Sequence, residues 1–334
     1  MEGTGHSTEK IFSVVEQHLA AGETAEAARL FNGFYEGYPG LVIDRYGSAL
    51  VLLDHDALYQ QTELIRSITE WSLAHLPGVK SVLLKSRYHE DQRLRKGILV
   101  GGNALPQEIT EFGVRYALDL QMNQDAGFYL DTRLLRRWLI EHGAGLRVLN
   151  TFAYTGSLGV AAGKGGASQV VQTDLSRTFL EMARRSWSLN GLPADRHQLI
   201  VGDFFRFAGR LRSQSRLFDC VILDPPYFST TDAGKVDLQH GTTRLVNKIR
   251  PVVAHEGWLI VINNALFLTG ADFMSELERL CQGQYLVLDS ILPVSLDVTG
   301  YPETIVDQPP ADPAPFNHPT KIAVLKVFRK DQQK

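Results

Sequence analysis

The feature that most constrains the fold is a regular alternation of strand and helix patterns that begins at Arg147. Short apolar runs are separated by stretches with helical spacing, in the order RVLNTF, QVVQTD, HQLIVGD, FDCVILD and GWLIVIN. Strands that alternate with helices form a parallel sheet with crossover helices. Two later runs, YLVLDSILPV and KIAVLKVF, have no helix between them and are expected to pair antiparallel across residues 294–320. The pattern predicts an α/β, doubly wound sheet of seven strands with the last one antiparallel.

The first part of the chain predicts a smaller α+β domain. Residues 8–30 carry apolar residues three to four apart with a break at Gly22, which predicts one or two short helices. From Leu41 to about Leu120 the apolar runs are short and β-rich, with one helical pattern at 58–76. We therefore expect three parts: a helical cap over residues 1–31, an α+β domain over 32–145 and the doubly wound domain over 146–334.

The composition excludes several classes of protein. Of the 334 residues, 44% are hydrophobic and 21% are charged, as in ordinary globular chains and unlike disordered ones. Two cysteines, Cys220 and Cys281, cannot form a disulfide framework or a four-ligand zinc site, so no metal site is expected. The N-terminus lacks a targeting pattern and no run of 18 apolar residues occurs, which predicts a cytoplasmic protein without membrane association.

The charge balance argues against a protein that binds nucleic acid through bulk positive charge, because the net charge is −3. The distribution is uneven, however. Residues 280–320 contain five acids and no Lys or Arg, which leaves 34 basic against 32 acidic residues in the remainder. A basic face on part of the molecule therefore remains possible.

Polar residues and glycine follow the predicted strands, where an open α/β sheet binds its ligand. The first strand runs into Asn150–Gly156, and the second ends in Asp174. A glycine there lets backbone approach a ligand at a helix N-terminus, and the acid can accept hydrogen bonds from ribose hydroxyls. The full Gly-rich fingerprint is absent, so Gly156 as a turn residue and Asp174 as a helix cap stay open. After the third strand, Asp203 and Phe204 could bind adenine, or Asp203 could cap a helix.

The most specific motif follows the fourth strand and reads Asp224-Pro225-Pro226-Tyr227-Phe228. Two consecutive prolines fix an extended loop and leave carbonyl acceptors without competing donors. An aromatic residue directly after them can stack on a planar base. The alternative is a structural turn, with Tyr227 packed into the core behind the loop.

The sequence resembles a known family in RVLNTFAYTGSLGVAAGKGGASQVVQTDLSRTFLEMARRSWSLNGL and FDCVILDPPYF. These segments look like class I S-adenosylmethionine-dependent methyltransferases that modify bases of 23S ribosomal RNA. GYPGLVIDRYGSALVLL, KSVLLKSR and DAGFYLDTRLLRRWL are similar to the central α+β domain of that family, so the likeness covers about residues 32–330. The resemblance implies a Rossmann-like fold, an RNA-binding α+β domain, and as partner 23S rRNA or a ribosome assembly intermediate.

The same resemblance implies S-adenosylmethionine as cofactor and assigns residues to its site. The residues expected to bind the cofactor are Tyr129, Arg133, Asn150, Phe152, Tyr154, Thr155, Gly156, Asp174, Ser176, Asp203, Phe204 and Asp224. The residues expected to act on the base are Asp224, Pro225, Pro226 and Tyr227.

Two departures from the family bear on which atom is methylated. Members that methylate cytosine C5 often begin with an RNA-binding PUA domain. The roughly thirty residues before the α+β domain of this chain are too few to form one. Those members also place a catalytic cysteine after the fifth strand, where this chain has Asn263 and Asn264. Cys220 lies inside the fourth strand, where a core position is expected, and Cys281 follows a helix. Covalent C5 chemistry is therefore disfavoured. The segments Asn-Asn, Tyr-Thr-Gly-Ser and Asp-x-Ser-Arg-Thr instead resemble the guanine-N7 branch of the same family, which favours guanine N7 as the target.

Other functions stay open at this point. An exocyclic amine is a competing target, because Asp-Pro-Pro-Tyr resembles the motif of amine-methylating enzymes. A methyltransferase with a substrate other than RNA, a catalytically silent RNA-binding homologue and a nicotinamide dehydrogenase are further alternatives.

Two basic segments are candidates for RNA contact or for ordinary solvated surface. In the first segment, Tyr88 and His89 stand among five cations: Lys85, Arg87, Arg93, Arg95 and Lys96. The second segment holds Arg206, Arg210, Arg212 and Arg216, for which a solvated face is expected.

Overall fold

The computed structural model describes residues 3–21 and 26–330 and divides into two compact units. Unit 1 consists of residues 1–130 and 295–308, and unit 2 consists of residues 131–294 and 309–334. This division differs from the expected boundaries at residues 31 and 145. The helix before the first strand of the large sheet belongs to unit 2, and part of the Pro-rich connection returns to unit 1.

Unit 1 is built on a five-stranded sheet in the order β1-β2-β3-β4-β5. Its strands are β1 Ala27–Asn32, β2 Leu41–Tyr46, β3 Ala49–Asp54, β4 Ser81–Ser86 and β5 Ile98–Gly101. Its helices are α1 Gly3–Ala21, α2 Gly33–Glu36, α3 Thr62–His75, α4 Gln92–Lys96 and the short α11 Leu296–Thr299. The β3–β4 pair is parallel and the other pairs are antiparallel. A hairpin of β6 Glu108–Glu111 and β7 Val114–Ala117 completes the strands.

The expectation of a purely helical cap over residues 1–31 is wrong in its last part. Residues 27–32 form strand β1, which pairs antiparallel with β2 from Ala27 opposite Tyr46 to Asn32 opposite Val42. The stretch AARLFN has no strong intrinsic preference for helix or strand. Its extended conformation is set by pairing with β2 and by the burial of Leu30 and Phe31. The predicted break at Gly22 lies outside the described residues.

Unit 2 confirms the predicted doubly wound sheet. Seven strands run in the order β10-β9-β8-β11-β14-β16-β15. Their bounds are β8 Arg147–Thr151, β9 Gln169–Asp174, β10 His197–Val201, β11 Phe218–Leu223, β14 Val253–Asn263, β15 Leu286–Leu292 and β16 Lys321–Val327. The first five strands in this order are parallel to one another, and β16 is antiparallel to both β14 and β15.

Helices accompany the strands of this sheet in chain order. They are α5 Arg133–His142, α6 Ser157–Lys164, α7 Arg177–Leu189, α8 Phe204–Ser213, α9 Thr242–Ile249 and α10 Gly270–Cys281. Because both faces are covered, the central strands are almost continuously buried, as Val148, Val221 and Ile260 show. The strand order reverses between β8 and β11, which opens a crevice at their carboxyl ends.

A two-stranded ribbon of β12 Phe228–Thr231 and β13 Gly234–Asp237 follows β11. The sequence analysis did not predict this ribbon. Within the described residues, no helix combines the length and the apolar character that a membrane span requires.

Candidate active site

The loop after β8 has a backbone that few residues adopt. Phe152, Tyr154 and Gly156 have φ angles of 55°, 50° and 81°. A Cβ at Gly156 would lie 2.3 Å from the Cβ of Ala183 and 3.0 Å from the side-chain amide of Gln172. Glycine is therefore required at residue 156 by both conformation and space, and α6 begins directly after it.

The carboxylate of Asp174 holds this loop from the end of β9. Its Oδ2 accepts a hydrogen bond from the Tyr154 N–H at 2.9 Å, and its Oδ1 accepts one from the Ser176 N–H at 2.8 Å. Burial raises the pKa of Asp174, although the backbone N–H groups oppose that shift. The alternative of Asp174 as the cap of α7 is wrong, because the Ser176 hydroxyl accepts the capping bond from the Phe179 N–H.

Asp203 begins the next helix and is already bonded on both oxygens. Its Oδ1 accepts the N–H of Arg206 at 3.0 Å, which makes it the N-cap of α8. Its Oδ2 accepts the hydroxyl of Thr231 at 2.6 Å, from the β12–β13 ribbon. The alternative of a helix cap is therefore correct for one of its two oxygens.

A small cleft lies between these loops. The ring of Phe204 stacks on that of Phe152 with centroids 4.7 Å apart. The cleft is lined by the ends of β9 and β10 and by the ribbon, and its free volume is about 20 Å³, close to the space of one water.

The motif Asp224-Pro225-Pro226-Tyr227 follows β11 at the crevice. Burial, and then the neighbouring Asp131 carboxylate, raises the pKa of Asp224 to about 7. No donor among the described residues lies within hydrogen-bonding distance of the Asp224 carboxylate. Asp131 differs, because its Oδ2 accepts the hydroxyl of Thr320 at 2.7 Å. The site therefore contains a carboxyl group that accepts no hydrogen bond from residues 3–21 or 26–330.

Tyr227 lies on the surface. Its side chain is 48% exposed, and its hydroxyl donates to Gln239 Oε1 at 2.9 Å. The next residue, Phe228, is also exposed, with Lys235 Nζ 4.8 Å from its ring centroid. The alternative of Tyr227 packed in the core is wrong, because about half of the residue is accessible to solvent.

The other predicted site residues are divided between the two units. Asn150 is buried at the end of β8, where its Nδ2 donates to Gln172 Oε1 at 3.0 Å, and Thr155 is buried in the following loop. Arg133 is the buried first residue of α5. Tyr129 belongs to unit 1, where its hydroxyl donates to the Asp125 carboxylate at 3.2 Å.

The sequence analysis missed two residues that touch this site. Asp131 lies between the selected Tyr129 and Arg133, and its influence on Asp224 becomes visible only in three dimensions. Thr231 ends β12, and the two turn residues Asp232 and Ala233 are followed by Gly234 of β13, a composition that indicates a hairpin. That signal was available in the sequence.

The first basic segment is largely engaged within unit 1. Lys85 is fully buried, and its Nζ donates to the carbonyl oxygens of Leu120, Asn123 and Asp125 at 2.5 to 2.7 Å. Burial lowers the pKa of Lys85 to about 8. Lys85 therefore fits neither of the two alternatives, RNA contact or solvated surface, because its ammonium group is bonded to carbonyl oxygens of residues 120–125. Tyr88, at 80% exposed, remains accessible.

Comparisons with known proteins show the family of the chain. Residues 53–287 match the family model of S-adenosylmethionine-dependent methyltransferases. The chain is 31% identical over 306 residues to a ribosomal RNA large subunit methyltransferase I from Photobacterium profundum, covering 85% of this chain and 75% of the relative. It is 30% identical over 271 residues to a ribosomal RNA large subunit methyltransferase K from Neisseria meningitidis, covering 79% and 74%.

One solved structure has a similar fold. It is a methyltransferase crystallised with SAH, with a TM-score of 0.81 and 23% identity, and the match covers 97% of this chain and 82% of that one. The family match extends from β3 to β15 and so includes every strand end of the site. The chain therefore belongs to the S-adenosylmethionine-dependent methyltransferase family, and S-adenosylmethionine is its cofactor.

Proposed function

We propose that this enzyme methylates a base of the large-subunit (23S) ribosomal RNA, and that the methylated atom is N7 of guanine. The relatives named for large-subunit rRNA support the substrate class. The exposed Tyr227, placed directly after two prolines, supports a flipped base as the reacting group. A ribosomal target would also place the enzyme in the cytoplasm.

The residues around the crevice fit the cofactor, which supplies an electrophilic methyl group when bound. We assign the ribose to Asp174, whose carboxylate retains acceptor capacity beyond its two backbone bonds. We assign the adenine to Asp203 and Phe204, because the Asp203 carboxylate, like that of Asp174, retains acceptor capacity beyond its two bonds. Asp224 offers an unpaired carboxylate to the positively charged part of the ligand.

The observation that carries the choice of guanine N7 is that the end of β14 holds an asparagine and not a cysteine. Methylation of cytosine C5 requires a thiolate that first adds at C6, because C5 is otherwise a poor nucleophile. Asn263 stands at the end of β14, and its amide is occupied by Leu238 O, the Thr242 hydroxyl and the Ala265 N–H. Cys220 is fully buried inside β11, and burial raises the pKa of its thiol to about 12. A reactive thiolate at the base is therefore disfavoured.

Guanine N7 has a free lone pair and no proton to lose. The enzyme then needs only to align base and methyl donor and to exclude water. A second candidate is an exocyclic amine, favoured by the same unpaired Asp224 carboxylate, which could accept a hydrogen bond from an amino group. The two candidates differ in their product.

Nucleoside mass spectrometry tests the proposal directly. The purified chain is incubated with S-adenosylmethionine and unmodified large-subunit rRNA, either naked or in a precursor particle. We expect 7-methylguanosine. A 5-methylcytidine product would overturn the choice of base, and an N-methylated amine would establish the second candidate. Cofactor binding without any methylated nucleoside would favour a silent RNA-binding homologue.

A further inference from the structure

A strip of cations lies on two adjoining helices of unit 2. Its members are exposed or half-buried on α8, on α9 and in the turn after α9: Arg206, Arg210, Arg212, Arg244, Lys248 and Arg250. Arg206 and Arg210 are one helical turn apart, and so are Arg244 and Lys248. We call this set the basic strip.

Two contacts show that the α8 and α9 parts of the basic strip are neighbours. The guanidinium carbon of Arg244 lies 5.3 Å from the ring centroid of Phe205 on α8. A Cβ at Gly209, between Arg206 and Arg210 on α8, would lie 3.9 Å from Lys248 Nζ. The cations of α9 therefore border the exposed face of α8 and form one continuous positive surface.

The basic strip has no acidic partners of its own. Residues 204–218 and 238–254 contain no Asp or Glu. None of its six cations forms an ion pair within the described part of the chain, whereas Arg147, Arg93 and Arg184 elsewhere all do. The adjoining acids are engaged, since Asp203 caps α8 and Glu276 accepts bonds from Thr243. The expectation of an ordinary solvated face overlooked the contribution of α9.

We propose that the basic strip binds the phosphate backbone of the substrate RNA. This inference rests on the proposed RNA substrate and adds where the RNA runs. Like charges held together repel one another, and a polyanion relieves that repulsion and releases its own counterions. The chain has a net charge of −3, so the cluster does not follow from a general excess of basic residues. Guanidinium groups are suited to phosphate oxygens.

The test compares two double variants with equal loss of charge. Arg210→Gln with Lys248→Gln removes two members of the basic strip. Arg184→Gln with Arg185→Gln removes two exposed cations from α7, away from the strip. RNA affinity is measured by filter binding over a range of salt. We expect the strip variant to bind roughly 20- to 60-fold more weakly at 0.1 M salt, with a salt slope shallower by about 1.4 to 1.8. The α7 control is expected to match wild type.

Several outcomes distinguish a failure of the RNA-binding inference for the basic strip from a failure of the proposed function. Affinity for S-adenosylmethionine is expected to stay unchanged in both variants, which confirms that they are folded. A second strip variant, Arg206→Gln with Arg212→Gln, should reproduce the loss. Equal RNA affinity and salt slope in wild type and both strip variants would overturn the inference, even if wild type methylates rRNA. Absence of methylated nucleoside with wild type would instead overturn the proposed function, while the salt slopes still decide the strip.

Discussion

Asp54 in unit 1 and Asp224 in unit 2 both stand at the carboxyl end of a strand in a parallel pair, but their bonding differs completely. The buried Asp54 carboxylate accepts the backbone N–H groups of Asp56, Leu58 and Tyr59 at 2.8 to 3.2 Å. The Asp224 carboxylate accepts none from the described residues, and burial raises its pKa. The acceptors of Asp54 are thus largely occupied by the backbone of its own loop, whereas those of Asp224 are available to a ligand.

Asp174 lies between these extremes. It shapes a loop through two backbone bonds and still has lone pairs for a ribose. An acidic residue at the end of a strand therefore indicates a binding site only when its local hydrogen bonds leave acceptor sites of the carboxylate free. Five changes test or sharpen this distinction.

The largest effect is expected for Asp54→Ala. It leaves three backbone N–H groups at the end of β3 without an acceptor, which should reduce the free energy of unfolding by about 3 to 5 kcal/mol. Urea denaturation followed by circular dichroism measures the loss. Asp54→Asn retains one acceptor oxygen and should lie between wild type and the Ala variant. A loss below about 1 kcal/mol for Ala would contradict a structural role for this acid.

Asp174→Ala should weaken S-adenosylmethionine binding by roughly 10- to 100-fold, or about 1.5 to 3 kcal/mol, because a charge-assisted bond to the ribose is lost. Calorimetry measures the affinity. The melting temperature of the same variant serves as the control for local disturbance of the loop that Asp174 holds. Unchanged affinity in the Asp174 variant would sink the assignment of the ribose.

Tyr227→Ala should lower kcat/KM on RNA by roughly 10- to 100-fold and leave cofactor affinity nearly unchanged, because a stacking face for the extruded base is lost. The side chain is half exposed, so the melting temperature should change little. Tyr227→Phe should be mild if stacking dominates and severe if the hydroxyl orients the base. Normal activity in the Ala variant would end the stacking hypothesis.

Asp224 should make stability depend on pH. Its pKa is raised to about 7 in the fold, above the ordinary value of about 3.9, so the native state binds the extra proton. Stability from this group should therefore fall as the pH rises from about 4 to about 7 and then level off. Asp224→Asn should remove this fall, because the amide does not titrate in this range. Parallel curves for wild type and variant between pH 5 and pH 8 would contradict the burial of an unpaired carboxyl group.

The smallest effect is expected for the double substitution Cys220→Ala with Cys281→Ala. Cys220 is a buried core residue and Cys281 ends α10, so methyl transfer should stay within a few-fold of wild type. The assay is repeated per folded molecule, because the lost packing of Cys220 lowers stability. Abolished activity in the folded variant, or a covalent adduct with a 5-fluorocytosine RNA, would restore cytosine C5 as the target.

The large sheet could be predicted from the sequence because its central strands are buried on both faces and appear as continuous apolar runs. The loop glycine could also be predicted, since the chain had to turn into α6 at Gly156. Strand β1 could not, because AARLFN becomes a strand only through its pairing with β2.

Parts of the site were hidden for a different reason. The carbonyl partners of Lys85 are separated from it by 35 to 40 residues, so its spacing in the chain gives no sign of burial. The contact of Thr231 with Asp203 also depends on a ribbon that folds back over 28 residues. Local patterns identify strand ends but do not show which of their polar atoms are already bonded.

Lys85 has a counterpart in unit 2, and the pair has a practical consequence for labelling chemistry. Lys321 is also fully buried, with its Nζ donating to the carbonyl oxygens of Ala265 and Pro319. An amine-reactive reagent meets either side chain only when the surrounding structure opens. Acylation followed by peptide mass spectrometry thus measures two opening rates in one molecule. The acylation rate of Lys85 reports the opening of unit 1, and that of Lys321 reports the opening of unit 2.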